Sequence, residues 1–293
     1  MLLFAPNRLK TIENIRTQVE LGRYNDKVEP DDPAVDAEVL RKAVAEHLAS
    51  RRSFSYKCRN LLARTYVDLL MLRYSKGDRF VGMEKLRNLK GGAIVTSNHF
   101  NPFDTGPLRR VARKTGRRRL WAVSTATNLI MPGLNGFTLR YSDTLPLFND
   151  TDYMADTLRP MLADVLRKGN FVLVFPEQEM WFNYRRPRPG KRGAYLFAAE
   201  NFVPVVSLFI EMRDCDKWLP SASSPDNEGH FTQVNCTVHV LDVIFPDPNL
   251  SVRENSKMMR ERDNALRVEA YERIYHRSID APFHYSDIAG YKG

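Results

Sequence analysis

The sequence predicts an α/β fold. It reads as a mixed, mostly parallel sheet flanked by helices, with an N-terminal helical extension over residues 1–80 and an α/β domain over residues 81–293. Three observations carry that expectation. From residue 92 onward, short apolar runs alternate with helix-like segments, the rhythm of a layered sheet with crossover helices. One run, Phe171–Phe175 (FVLVF), is apolar at every position, as in a strand buried on both faces. The first 80 residues instead read as helices joined by a loop.

That loop spans Asp26–Asp36 and is acidic and proline-containing. Asp31 and Asp32 can cap a helix over Ala34–Ser50, with Pro33 in its first turn. A second helix is expected over Tyr56–Tyr74. Leu62, Tyr66, Leu69, Leu70 and Arg73 share one side of it, and Leu61, Met71 and Leu72 widen its apolar surface beyond a simple stripe. Such a helix is either buried in the core or laid on a membrane interface. Gly92–Ser97 (GAIVTS) then reads as a strand, Asp104–Thr115 as a helix, Leu120–Ser124 and Thr144–Leu147 as strands, and Thr151–Lys168 as a helix closed by Gly169. After the strand Phe171–Phe175 follow a helix over Lys191–Asn201, strands Val203–Ile210 and Cys236–Ile244, and a long charged helix over Ser251–His276.

Composition narrows the function. Residues are 43% apolar and 27% charged, an ordinary globular balance. No run of about 18 uninterrupted apolar residues argues for a spanning helix. The opening MLLFAPNRLK lacks the layout of a signal peptide. Cys58, Cys215 and Cys236 are odd in number and form no C-x-x-C pair, which points to a reducing cytosol. The net charge is +9, and it is concentrated: Thr105–Ser142 holds eight Lys/Arg and Met180–Ala199 five, neither with an acid. Such a field suits a polyanion, an anionic membrane surface or a phosphorylated substrate, or it is a solvated basic face.

The reactive residues follow strands. In α/β sheets ligands bind beyond the carboxyl ends of strands. GAIVTS runs directly into Asn98-His99-Phe100-Asn101-Pro102-Phe103-Asp104. Pro102 bends the chain, so Asp104 can fold back on His99, fix its tautomer and leave Nε2 as a general base. No serine or cysteine elbow accompanies the pair, so a substrate hydroxyl is the group to activate. The strand Phe171–Phe175 delivers Pro176 and Glu177 to the same edge.

N-H-F-N-P-F-D resembles the N-H-x-x-x-x-D block of the glycerolipid acyltransferases, the 1-acylglycerol-3-phosphate acyltransferase type. V-F-P-E resembles the start of that family's F-P-E-G-T-R block, V-P-V-V-S-L its later V-P-V-x-P-V block, and G-F-T-L-R-Y-S-D-T-L-P-L falls where its second block belongs. The resemblance covers roughly residues 80–245. It implies transfer of a fatty acyl group from acyl-CoA or acyl-carrier protein to a lipid hydroxyl, with His99 as base and Asp104 orienting it. Backbone amides near Glu177–Gln178 would stabilise the oxyanion. Asn98, Arg140, Pro176, Glu177, Gln178, Arg185, Arg186 and Arg188 would bind substrate. No metal and no resident cofactor are implied. The partners would be the acyl thioester, the lipid acceptor and an anionic membrane surface. The protein would sit in the cytoplasm, peripherally on the inner face of the membrane.

This chain departs from the family at Gln178-Glu179-Met180, where G-T-R is usual, and at Asn149, where the second block has an arginine. Either Arg140, Arg185, Arg186 or Arg188 replaces those arginines toward a lysophospholipid-type acceptor, or the acceptor is a phosphate-free lipid or glycolipid. Arg/Lys interleaved with Trp181, Phe182 and Tyr184 could grip nucleic acid, but no binding module is visible. A metal hydrolase built on His99, Asp104 and Glu177 lacks a second clustered histidine. A non-catalytic, membrane-bound version of the fold is set against the intact His99 and Asp104. Trp181 lies close enough to Glu177 in sequence to line a pocket.

Overall fold

The structure is a computed structural model that describes residues 7–30, 35–74, 77–218 and 229–293. Three helices come first: α1 (Arg8–Glu20), α2 (Ala37–Ser50) and α3 (Phe54–Tyr74). The α/β part follows as β1 (Arg79–Val81), β2 (Ala93–Thr96), α4 (Thr105–Lys114), β3 (Leu120–Thr125), α5 (Gly133–Tyr141) and β4 (Thr144–Leu147). Then come α6 (Thr151–Tyr153), α7 (Arg159–Arg167), β5 (Phe171–Leu173), α8 (Gly193–Glu200), β6 (Val205–Trp218), β7 (Thr232–Ile244) and α9 (Val252–Tyr275).

Among the described residues seven strands form one sheet in the order β1-β7-β6-β2-β5-β3-β4. β6, β2, β5, β3 and β4 run parallel; β7 is antiparallel to β6, and β1 runs with β7. This is the expected mixed, mostly parallel sheet. Side chains alternate between its faces. Ala93, Val95, Phe171 and Leu173 pack with Leu108 and Val111 of α4 on one face. Ile94 and Val172 pack with Leu162, Ala198 and Met259 of α7, α8 and α9 on the other.

Several elements differ from the expectation. Asp31, Asp32 and Pro33 lie outside the described residues. The N-cap of α2 is Asp36, whose carboxylate accepts the Glu38 amide at 2.7 Å. The helix over Thr151–Lys168 is broken by a π-helical turn at Met154–Leu158. Pro160 lies just beyond that turn and cannot donate to the residue four back, so the ladder widens there. β5 is three residues long, although the Val174 amide adds one bond to the Val95 carbonyl at 2.9 Å. β6 and β7 extend well past the apolar runs as an antiparallel arm, pairing Met212 with Cys236 and Asp214 with Val234. α1, β1 and α5 are elements beyond those the sequence pattern predicts.

The α3 helix faces the core with Tyr56, Asn60, Ala63 and Met71. Its opposite side is exposed: Phe54 82%, Leu61 61%, Leu62 62%, Leu69 61% and Leu72 66%. Of the two readings of this helix, core packing accounts for one side only.

The α2–α3 junction buries His47, whose ring meets Tyr56 edge-on at 5.5 Å. Burial, with Arg51 and Arg140 nearby, lowers the His47 pKa from 6.5 to about 4. Below about pH 6.5 the unfolded chain therefore takes up a proton that the folded chain refuses, so stability falls as pH drops from 6.5 toward 4. Urea unfolding at pH 7 and pH 5 should show a loss about 2 kcal/mol larger in the wild type than in His47→Leu. Equal losses would mean that His47 is protonated in the fold.

Candidate active site

His99 and Glu177 are brought level by strand register. Val95 of β2 pairs with Leu173 of β5, and each of the two residues lies four positions beyond its strand partner. The chain after β2 turns at Pro102, and Asp104 becomes the N-cap residue of α4. Its carboxylate is buried and folded back: Oδ2 lies 2.6 Å from His99 Nδ1 and accepts the Phe100 amide at 3.1 Å. A carboxylate can only accept, so Nδ1 carries the proton and Nε2 has the free lone pair. The His99 side chain stays 21% exposed. Phe175, two residues past β5, stacks on the ring at 4.1 Å between centroids and 9° between planes, so the imidazole is fixed on one face by Phe175 and at one edge by Asp104.

Glu177 is sealed beneath this pair, 1% exposed. Its Oε2 accepts the His99 amide at 3.2 Å, and its Oε1 accepts the Arg188 amide at 3.0 Å. Two buried guanidinium groups neutralise it: Arg188 at 3.0 Å and Arg267, from α9, at 3.3 Å. Arg267 is shared with Asp263 at 3.5 Å, and the Tyr195 hydroxyl donates to the same Asp263 oxygen. Burial works against the Arg267 charge, but Asp263, Tyr195 and Glu177 outweigh it and hold its pKa above the ordinary arginine value. Tyr195 is pushed well up by burial and by Asp263. Arg267, Asp263 and Tyr195 were missed in the sequence because an Asp and an Arg four apart on a charged helix look like a surface pair.

The loop from Pro176 to Lys191 closes on itself, with the Lys191 amide donating to the Pro176 carbonyl at 2.7 Å. It also pairs with the dyad segment: the Trp181 amide donates to the His99 carbonyl at 3.1 Å and the Asn183 amide to the Phe100 carbonyl at 2.8 Å. α1 backs this loop, packing Ile12, Ile15 and Val19 on Trp181, Phe182 and Tyr184. Trp181 is fully buried and its indole donates to the Asp26 carbonyl. These three aromatics are core, so they offer neither an open pocket wall nor a stacking platform.

The remaining nominated residues fall into structural contacts. Asn98 is buried and bonds both backbone groups of Ile210, accepting at 2.8 Å and donating at 3.1 Å; it continues the β2–β6 ladder with a side chain. Pro176 is buried, and its carbonyl closes the loop. Gln178 is exposed at φ 66°, a left-handed conformation that favours the glycine usual at this place. Its amide donates to the Phe175 carbonyl at 3.1 Å, and the Glu179 amide to the Glu177 carbonyl at 2.9 Å, so the turn itself engages these two amides of the expected oxyanion site. Arg140 donates to the Leu129 carbonyl, beyond β3. Arg185 pairs with Asp214. Arg186 holds the Ile279 and Ala281 carbonyls and pairs with Asp287 at 2.8 Å. Among the described residues no group of three or more His, Cys, Asp or Glu side chains is placed to hold a metal ion.

Two stability measurements test this account. Arg267→Leu leaves Glu177 and Asp263 short of a buried counter-charge and should cost about 3–5 kcal/mol in urea unfolding, with Arg267→Lys recovering part of it. Asn98→Ala strips two buried backbone groups of their partner and should cost about 2–4 kcal/mol. A change below about 0.5 kcal/mol in Asn98→Ala would return Asn98 to the pool of substrate ligands.

Residues 79–211 match the family model described as Acyltransferase. No curated protein matches the sequence. Among solved structures, the chain is similar to the 1-acyl-sn-glycerophosphate (LPA) acyltransferase PlsC from Thermotoga maritima, at 13% identity over 92% of this chain and 97% of that one, with a TM-score of 0.49. The matched segment begins with β1, ends within β6 and contains His99, Asp104, Glu177 and Arg188, whereas Arg267 lies outside it. Residues 79–211 of this chain are a domain of the Acyltransferase family.

Proposed function

We propose that this protein transfers a fatty acyl group from a thioester, acyl-CoA or acyl-carrier protein, to the hydroxyl of a lipid acceptor. The observation that carries the reading is the His99–Asp104 pair: Nδ1 is bound to a buried carboxylate, and the ring is partly open to solvent beyond the end of β2, with no nucleophilic side chain among the described residues bonded to it. Nε2 takes the proton of the acceptor hydroxyl as its oxygen attacks the thioester carbonyl carbon. The tetrahedral intermediate collapses with cleavage of the carbon–sulfur bond, and the imidazolium returns the proton to the leaving thiolate. Asp104 stabilises the imidazolium between these steps.

A lysophospholipid-type acceptor is the first reading of the substrate. The alternative, a phosphate-free lipid or glycolipid, is favoured by one observation. Arg140, Arg185, Arg186 and Arg188 each bond a protein carbonyl or carboxylate, and Arg186 and Arg188 are buried. The protein's place is proposed to be the cytoplasmic face of a membrane, peripherally bound through the exposed side of α3. No helix among the described residues is long and apolar enough to cross a membrane.

The test is release of CoA from a long-chain acyl-CoA, with lysophosphatidate in one assay and a monoacylglycerol in the other. His99→Ala should keep its unfolding midpoint and lose about 10²–10⁴-fold in turnover. An unchanged rate in that variant removes the mechanism. Transfer to monoacylglycerol alone selects the phosphate-free acceptor, and transfer to lysophosphatidate selects the phospholipid one.

A further inference from the structure

The loop that closes over the site and the segment after α9 meet at Asn183. This residue is buried and holds a left-handed φ of 50°, a conformation that asparagine accepts more readily than most side chains. All four of its polar groups are engaged, two on each side. Toward the dyad, its amide donates to the Phe100 carbonyl at 2.8 Å and its Oδ1 accepts from Asn101 Nδ2 at 3.3 Å. Toward the segment after α9, its carbonyl accepts the Ala289 amide at 2.9 Å and its Nδ2 donates to the Ala289 carbonyl at 3.0 Å.

Asn101 carries the contact to the dyad. It is buried, its Oδ1 accepts the Phe103 amide at 3.2 Å, and its carbonyl accepts the Asp104 amide at 3.0 Å. Both carboxamides are fixed in orientation, because the Phe103 amide can only donate and the Ala289 carbonyl can only accept. The far end is anchored as well. Ala289 is fully buried; the next residue, Gly290, donates to Asp214 of β6 at 2.7 Å and accepts the Thr232 amide of β7 at 2.7 Å. A line of hydrogen bonds therefore runs from the β6–β7 arm through Ala289, Asn183 and Asn101 to the backbone of Asp104. It is separate from the Glu177 contact, which holds the His99 amide.

We infer that Asn183 is a positioning residue for the base: it holds the turn from Asn101 to Asp104 so that the Asp104 carboxylate stays on His99 Nδ1. The inference rests on the reading of His99 as general base and adds a residue that acts through Asn101 and Asp104. The turn needs such a support because Pro102 has no amide hydrogen to give it. Placement of the carboxylate matters because small displacements of catalytic groups cost rate steeply.

Asn183→Gly removes the carboxamide alone, since glycine takes a left-handed φ without strain and keeps both backbone bonds. Asn101→Ser removes the same bond from the other side, and its hydroxyl can still accept the Phe103 amide. Asn255→Ala is the control. Asn255 is also buried and makes three bonds to Asp247 and Leu250, which follow the end of β7 that lies away from His99.

The first readout is proton NMR of the resting protein. A short bond to a carboxylate moves the His99 Nδ1 proton downfield of the amides, and His99→Ala identifies the signal by its loss. Asn183→Gly and Asn101→Ser should shift it upfield or lose it to exchange with water. The second readout is CoA release with whichever acceptor supports turnover. Each of the two variants should lose about tenfold to a hundredfold in kcat at unchanged KM. The double variant should lose no more than the worse single one, since both remove one bond. Asn255→Ala should unfold earlier than the wild type and keep both its kcat and its signal.

The inference falls if kcat is unchanged in both variants, if their signal stays in place, or if Asn255→Ala changes either readout as much. In those cases a loss of turnover in His99→Ala still upholds the base. If His99→Ala turns over like the wild type, or the wild type uses neither acceptor, the base reading fails and the positioning role falls with it.

Discussion

A carboxylate removed from water is tolerated only when its oxygens are matched and its charge is neutralised, and Glu177 shows how much of this fold is arranged around that requirement. Its two oxygens take the backbone amides of His99 and Arg188 and two guanidinium groups. The amide of His99 ties it to the end of β2. Arg188 ties it to the loop that closes over the site, and Arg267 ties it to the C-terminal helix. Substituting Glu177 would therefore disturb three elements before it touched any ligand. The dyad depends on this arrangement because His99 sits beyond the end of β2, where its amide is held by the Glu177 carboxylate and its carbonyl by the Trp181 amide of the closing loop.

The same accounting explains where the positive charge has gone. The run R-R-P-R-P-G-K-R looks in sequence like a solvated basic loop, yet Arg186 and Arg188 are buried and Arg185 is ion-paired. Arg117 is likewise spent on the Leu89, Gly91 and Gly169 carbonyls while lying 3.9 Å over Phe171. Arginine suits such work because its planar fork serves several acceptors at once. Net charge is thus a poor guide to the outer field here. The cations that remain exposed on α4 and just beyond it, Arg113, Lys114 and Arg118, lie beside the apolar side of α3.

What the sequence disclosed was local chemistry. GAIVTS leading into Asn98-His99 and FVLVF leading into Pro176-Glu177 were readable because a buried parallel strand must be apolar throughout and its ligand edge follows directly. The partners of Glu177 were not readable, since Arg267 lies 90 residues away and only the packing of α9 brings it in. The structural contact of Asn98 was hidden for a related reason. An Asn beside a base looks like a substrate ligand until the neighbouring strand places Ile210 against it. Gln178 is the opposite case: the residue departs from glycine, and the backbone keeps the left-handed turn at φ 66°, at a cost of about 1–2 kcal/mol. The arms of β6 and β7 were hidden because charged residues on an antiparallel pair carry no apolar signal, only cross-strand bonds.

The α3 helix is the place where one sequence pattern served two physical purposes. Its inner side is anchored by polar contacts that a sliding helix could not keep. Asn60 bonds the Tyr141 carbonyl and Asp143, and Arg64 lies 3.3 Å from the same fully buried carboxylate. Asp143 holds a left-handed φ of 61°, a strained geometry that persists only where neighbours over-determine it. At the other end Met71 is wedged against Gly106 at the start of α4. A helix fixed in this way cannot turn its exposed leucines inward to hide them, so their exposure is a property of the folded protein. Because α3 is fixed to α4, and α4 begins at Asp104, a surface that covers those leucines is positioned rigidly with respect to His99.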